Sequence, residues 1–114
     1  MNVNVQIRKE EHCIYGMIEG EIDTFTAPIL REELEMIAIK EKMNIELDLS
    51  KVSFMDSTGL GVFVAFYKRV LKENANLKLV RLSNRLSRLF EITGLSELMD
   101  IETDKKVEPA NEHI

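Results

Sequence analysis

The sequence predicts an α/β domain with a mixed sheet of four to five strands and helices packed on one face. Strand-like and helix-like apolar patterns alternate along the chain, and 114 residues are enough for one hydrophobic core. Strands joined through helices are expected to run parallel. The strands also carry polar residues on their second face, which argues against helices on both sides of the sheet.

Four segments alternate apolar and polar residues, as strands with one buried face do. The apolar positions are Val3, Val5 and Ile7 in the first segment, Ile14, Gly16 and Ile18 in the second, Ile45, Leu47 and Leu49 in the third, and Leu77 and Leu79 in the fourth. A short polar break over residues 9–11 separates the first two strands, so they are expected to pair antiparallel. Glu46 and Asp48 give the third strand an acidic second face.

Three further segments place apolar residues at helical spacing. These residues are Ala27, Leu30, Leu34 and Ile37 in the first helix, Leu60, Phe63, Val64, Tyr67, Val70 and Leu71 in the second, and Leu86, Leu89 and Phe90 in the third. Thr24 or Thr26 is expected to cap the first helix, and Ser83 or Asn84 the third. Gly94 is expected to end the third helix in the left-handed conformation.

Composition narrows the classes of partner. The 20 acidic and 15 basic residues give a formal charge of −5, which opposes binding to nucleic acid and to anionic membrane surfaces. Cys13 is the only cysteine, so neither an internal disulfide nor a thiolate zinc cluster can form. The N-terminus does not resemble a signal peptide, and no run approaches the ~20 apolar residues of a membrane helix. A cytoplasmic location is therefore expected.

The most informative stretch is residues 54–62, which lead from an apolar strand into the second helix. Asp56 or Ser57 suits the N-cap, and Gly59 and Gly61 would let the backbone of another chain approach the first helical turn. A phosphoryl group on Ser57 would meet free N–H groups and the positive end of the helix dipole. Beside Asp56, the same group would repel an acidic partner surface.

Residue spacing alone leaves two questions open. The Asp-Ser-Thr-Gly run is also typical of any capped helix. Val62 and Phe66 fall on a separate flank of the second helix, where they would form an exposed partner contact or pack against the first helix. Catalysis is not expected, because a serine nucleophile needs a histidine base and only His12 and His113 are available.

Residues 55–61 resemble the phosphorylation-site signature of STAS domains, in particular the bacterial anti-sigma factor antagonists of the RsbV type. Residues 20–23 with Ala27 and Pro28 resemble the exit of the second strand and the first helix of that family, and residues 86–95 resemble its third helix and following turn. The resemblance covers residues 1 to about 101. It implies a STAS domain over residues 1–102, followed by a polar C-terminal tail over residues 103–114.

The resemblance also implies a partner-switching cycle without catalysis by this chain. The unmodified protein would bind an anti-sigma factor that is also a serine kinase and thereby free the sigma factor for transcription, until phosphorylation of Ser57 ends binding. A metal-dependent serine phosphatase would reset the cycle, and no cofactor is expected on this chain because the ATP and the metal belong to the partners. The expected partner-binding residues are Asp23, Asp56, Ser57, Thr58, Gly59, Gly61, Val62 and Phe66.

Two alternatives accompany these expectations. Residue type alone equally allows Asp23 to be a capping or solvated loop residue. The chain would also fit a passive STAS scaffold or sensor subunit whose serine is never modified.

Overall fold

The computed structural model describes residues 2–104, in which five strands and three helices form. In chain order these are β1 (Val3–Lys9), β2 (Cys13–Ile22), α1 (Ala27–Glu35), β3 (Asn44–Met55), α2 (Ser57–Lys72), β4 (Asn76–Leu82), α3 (Asn84–Ile92) and β5 (Asp100–Thr103). A single 3₁₀ turn over Leu95–Glu97 precedes β5. The seven segments expected from the sequence all form elements of the predicted type.

The strands follow one another across the sheet in chain order, from β1 to β5. β1 pairs antiparallel with β2, and every later neighbouring pair is parallel. This confirms the predicted mixed α/β sheet. β5 was not assigned from the sequence, because four residues are too few for an alternation to stand out. It reaches Thr103, and residues 105–114 of the predicted tail lie outside the described residues.

One face of the sheet is covered by helices and forms the core. On β3, Ile45, Leu47 and Leu49 are at most 1% exposed, whereas Glu46 and Asp48 on the opposite face remain half-buried. Burying each such aliphatic side chain contributes about 1.5–3 kcal/mol. The uncovered face is polar, and there the Asp48 carboxylate pairs with Arg81 at 3.1 Å.

The helix ends follow the sequence in part. Ser83 caps α3, because its hydroxyl accepts a hydrogen bond from the Leu86 N–H at 3.2 Å. Gly94 adopts the left-handed conformation with φ 79°, as expected for a residue that ends a helix. Thr26 occupies the N-cap of α1 without a side-chain capping bond; its hydroxyl instead donates to the Glu21 carbonyl at 2.7 Å.

The flank of α2 that carries Val62 and Phe66 is buried, with exposed fractions of 2% and 4%. The two residues line the seam between α1 and α2. Of the two alternatives that the sequence left open, packing against the first helix is confirmed and an exposed partner contact is wrong. Arg69 closes the seam by donating hydrogen bonds to the Leu34 and Ile37 carbonyls at the end of α1. Leu71, expected in the core, is 49% exposed.

Replacing Phe66 with alanine should therefore act on stability. We expect Phe66→Ala to lower the free energy of unfolding by about 3–5 kcal/mol, because it removes a buried ring and leaves a cavity. Leu71→Ala on the same helix is the control and should cost under about 1 kcal/mol. Urea unfolding followed by circular dichroism measures both values. Equal losses for the two variants would contradict the burial of this flank.

Candidate functional site

A short turn joins β3 to α2 at the edge of the sheet where the parallel strands end. Asp56 is extended, with φ −109° and ψ −170°, and α2 begins at the next residue. The Asp56 N–H donates to the Ile22 carbonyl at 3.1 Å, so β2 and β3 stay joined up to the turn. The turn is therefore held in place by the sheet behind it.

The Asp56 carboxylate caps α2. One carboxylate oxygen accepts hydrogen bonds from the Thr58 N–H at 3.0 Å, from the Gly59 N–H at 3.3 Å and from the Thr58 hydroxyl. These bonds, the hydroxyl bond first, hold the pKa of Asp56 below its usual value although partial desolvation opposes them. The sequence predicts free N–H groups for a phosphate at the start of α2. For the N–H groups of Thr58 and Gly59 this prediction is wrong, because both already donate to Asp56.

Ser57 is exposed and is the first residue of α2. Its hydroxyl makes no hydrogen bond to the residues that the structure describes, whereas the neighbouring Thr58 hydroxyl is donated to Asp56. Ser57 is therefore the more available nucleophile of the two. The ionised Asp56 precedes it directly, so any added negative charge would stand beside a carboxylate.

Asp23 lies next to this turn, because Ile22 pairs with Met55 and the two aspartates follow these partners on adjacent strands. One Asp23 carboxylate oxygen accepts hydrogen bonds from the Phe25 and Thr26 N–H groups at 2.9 and 3.1 Å. Asp23 thus holds the loop that leads into α1. This agrees with the alternative that Asp23 is a capping or loop residue. A role in partner contact remains a prediction.

Thr26 positions Asp23, a role that the sequence did not predict. It is 1% exposed, and its hydroxyl accepts the Asp23 N–H at 2.9 Å while donating to the Glu21 carbonyl. The spacing Asp-x-x-Thr before an apolar helix is the signal that indicates such a loop. These bonds fix the position of Asp23 beside Asp56.

The two glycines of the first helical turn differ in their surroundings. A Cβ on Gly59 would lie 2.7 Å from side-chain carbons of both Ile22 and Met55, so this glycine faces the core and serves packing. A Cβ on Gly61 would meet no atom within 4 Å. Gly61 alone therefore leaves open space in which another chain could approach the α2 backbone.

Two exposed aromatic side chains lie along the chain near the ends of β2 and β3. Phe25 is 81% exposed and Phe54 is 48% exposed. Sequence reasoning did not single out either residue. Phe54 sits beside a register irregularity between β2 and β3, where two successive β3 residues, Ser53 and Phe54, are both exposed. Alternation alone does not reveal such a break.

The described residues contain no cluster of three or more His, Cys, Asp or Glu side chains able to hold a metal. His12 precedes β2 and therefore lies at the sheet edge opposite Ser57. His113 falls outside the described residues. Between residues 2 and 104, no helix is long and apolar enough to cross a membrane.

Comparison with known proteins agrees with this architecture. The model of the STAS domain family matches residues 4–110, and the chain belongs to this family. The anti-sigma-B factor antagonist of Bacillus subtilis is 50% identical over 101 residues, which cover 89% of this chain and 92% of that protein. The antagonist of Listeria monocytogenes is 46% identical over 102 residues, covering 89% and 90%. The resemblance to antagonists of this type is confirmed.

A solved structure shows the same fold. An anti-sigma factor antagonist from Mycobacterium paratuberculosis superimposes with a TM-score of 0.76 at 23% sequence identity. The match covers 96% of this chain and 88% of that one. At this level of identity, the similarity establishes the STAS fold alone.

The two glycines provide a matched pair of variants. We expect Gly59→Ala to lower the free energy of unfolding by about 1–3 kcal/mol, because its methyl group would overlap buried side chains. Gly61→Ala should raise it by about 0.5–1 kcal/mol, because alanine favours the helix and the methyl group has room. Thermal unfolding of the two variants measures both changes. A stabilised Gly59→Ala protein would contradict the inward orientation of that position.

The lowered pKa of Asp56 predicts a pH-dependent contribution to stability. A carboxylate whose folded pKa is depressed stabilises the fold above its unfolded value of about 4, and this contribution is lost as the pH falls through the folded pKa. The advantage of wild type over Asp56→Asn should therefore shrink between pH 7 and about pH 3. Melting temperatures across this range measure it.

Thr58→Val serves as the companion variant, because it removes the hydroxyl hydrogen bond that does most to lower the pKa of Asp56. It should reduce the pH dependence while leaving the carboxylate in place. An advantage over Asp56→Asn that stays constant with pH would show that the charge of Asp56 contributes nothing to the cap.

Proposed function

We propose that this chain is an anti-sigma factor antagonist controlled by phosphorylation of Ser57. In its unmodified form it binds an anti-sigma factor that is also a serine kinase, and the sigma factor is released to direct transcription. The kinase then transfers a phosphoryl group from ATP to the Ser57 hydroxyl, and a metal-dependent phosphatase later removes it. The chain itself acts as a cytoplasmic binding module and performs no catalysis.

The observation that carries the proposal is the setting of Ser57. Its hydroxyl is exposed, makes no hydrogen bond within the described residues and follows the ionised Asp56. A phosphoryl group adds about −1.5 to −2 charges at neutral pH. The exposed start of α2 leaves room for such a group. A partner surface that is acidic, or that packs closely over Ser57, would be repelled or excluded by the added charge and its hydration.

The names of the relatives support the choice of partner. Curated proteins that share about half of this chain's residues are called anti-sigma-B factor antagonists. The partner-binding surface that we propose consists of Asp23, Asp56, Ser57, Thr58 and Gly61. Val62, Phe66 and Gly59 support this surface from inside the domain rather than form part of it, because all three are buried.

Binding to purified anti-sigma-B factor from Bacillus subtilis tests the proposal. We expect Ser57→Asp to weaken the dissociation constant by at least about tenfold, because the added carboxylate repeats part of the phosphoryl charge. Ser57→Ala should bind as wild type does and should resist inhibition by ATP. Isothermal titration with ADP measures binding without phosphoryl transfer.

Two controls sharpen the test. Ser96→Asp adds the same charge on the 3₁₀ turn that leads into β5, at the opposite edge of the sheet, and should leave binding unchanged. Mass spectrometry after incubation with the kinase and ATP should find one phosphate, on Ser57. Indistinguishable binding by Ser57→Asp and Ser57→Ala, together with no added phosphate, would favour the passive scaffold.

A further inference from the structure

A shallow groove lies beside the turn that carries Ser57, between the end of β3 and α3. Its volume is about 250 Å³. Phe54, Leu89 and Ile92 supply its apolar lining, and Arg85 and Arg88 also border it. We call this surface the β3–α3 groove.

Two side chains of the apolar lining are open to solvent. Phe54 is 48% exposed and Ile92 is 75% exposed, although neither is needed to complete the core. Removing the exposed part of each side chain from water would be favourable. Contiguous exposed apolar surface of this kind is typical of an interaction site. The groove is thus a surface that association would stabilise.

The two arginines give the groove a charge opposite to that of the whole chain. Among the described residues, neither Arg85 nor Arg88 takes part in an ion pair. Both arginines border the same groove and form a local positive patch, although the net charge of the chain is −5. Such a patch attracts carboxylates and disfavours a basic segment.

The groove is continuous with the site of Ser57. Met55 and Phe54 line it, and Asp56 and Ser57 follow directly along the chain. Three residues of extended chain span about 10 Å, so a single partner surface can cover Ser57 and the groove together. The surface around Ser57 thereby divides into an acidic side, with Asp23 and Asp56, and an apolar, basic side.

We propose that the β3–α3 groove binds an apolar segment flanked by carboxylates on the same anti-sigma partner that contacts Ser57. This proposal rests on the proposed function and adds a second contact to it. The apolar side chains of the segment would cover Phe54 and Ile92, and its carboxylates would pair with Arg85 and Arg88. The groove would then contribute affinity in addition to the contact centred on Ser57.

Truncation of the apolar lining tests the first half of the proposal. Phe54→Ala and Ile92→Ala should each weaken binding to the Bacillus subtilis anti-sigma-B factor by about tenfold, as removal of a central apolar contact does. Leu71→Ala is the matched control, since Leu71 is similarly exposed but lies about 20 Å from Ser57 along α2. It should bind within about twofold of wild type.

Neutralisation of the arginines tests the second half. Arg85→Gln and Arg88→Gln should each weaken binding by about threefold to tenfold at low salt, as loss of an interface charge does. The effect should be smaller at about 0.5 M salt, because salt screens the interaction between charges. Lys72→Gln changes the net charge equally at the far end of α2 and should have no effect. Isothermal titration at two salt concentrations separates these variants.

The outcomes distinguish this proposal from the proposed function. If the groove variants bind as wild type does while Ser57→Asp loses binding, the groove proposal is overturned and the switch stands. If Ser57→Asp binds normally, the proposed function itself fails. Phe54→Ala and Ile92→Ala could instead change the sedimentation of the protein in the absence of partner and leave its affinity for the partner unchanged. In that case a second copy of the chain occupies the groove, and the proposal is wrong. Should Phe54→Ala fail to fold, the more exposed Ile92→Ala decides.

Discussion

The site depends on how Asp56 joins the sheet to the second helix. Its N–H bonds to the Ile22 carbonyl on the neighbouring strand, and its carboxylate accepts the first N–H groups of α2. One residue therefore ends a central strand and begins a helix without an intervening loop. Because both bonds fix the backbone direction, the next residue, Ser57, is presented at the surface.

The burial of α2 explains why so little of this helix is left for a partner. The helix packs against the sheet and against α1 at once, and it buries Gly59, Leu60, Val62, Phe63, Phe66 and Val70. Near its start, the exposed positions are thus Ser57, Thr58 and Gly61. A partner that recognises this end must rely on those residues and on the adjoining ends of β2 and β3. This geometry makes a contact centred on Ser57 sensitive to one added charge.

The surroundings of Ser57 combine two kinds of surface with different responses to phosphorylation. Asp23 and Asp56 lie on adjacent strand ends, where a further negative charge is repelled by both. The β3–α3 groove is largely apolar, and apolar contacts there do not change with an added charge on Ser57. Phosphorylation would therefore weaken a partner held by both surfaces in proportion to how much of its binding depends on close contact over Ser57.

The sequence by itself determined the class of fold and the location of the site. Alternating residues on β3 and the apolar spacing of α2 are local patterns, because each reflects which side chains of one element face the core. The run from Met55 to Gly61 likewise identified a capped helix start with an available serine. The short strand β5 left no such pattern, since its four residues are held by pairing with β4.

Only the tertiary structure decided what each flank of an element contacts. Val62 and Phe66 have the same spacing whether they are exposed or buried, and the position of α1, secured by Arg69, settles the matter. Gly59 and Gly61 are equal in sequence terms, yet one faces Ile22 and Met55 while the other faces open space. The groove beside Ser57 joins residues more than 30 positions apart. These features arise from contacts between elements distant in the chain, which local periodicity does not encode.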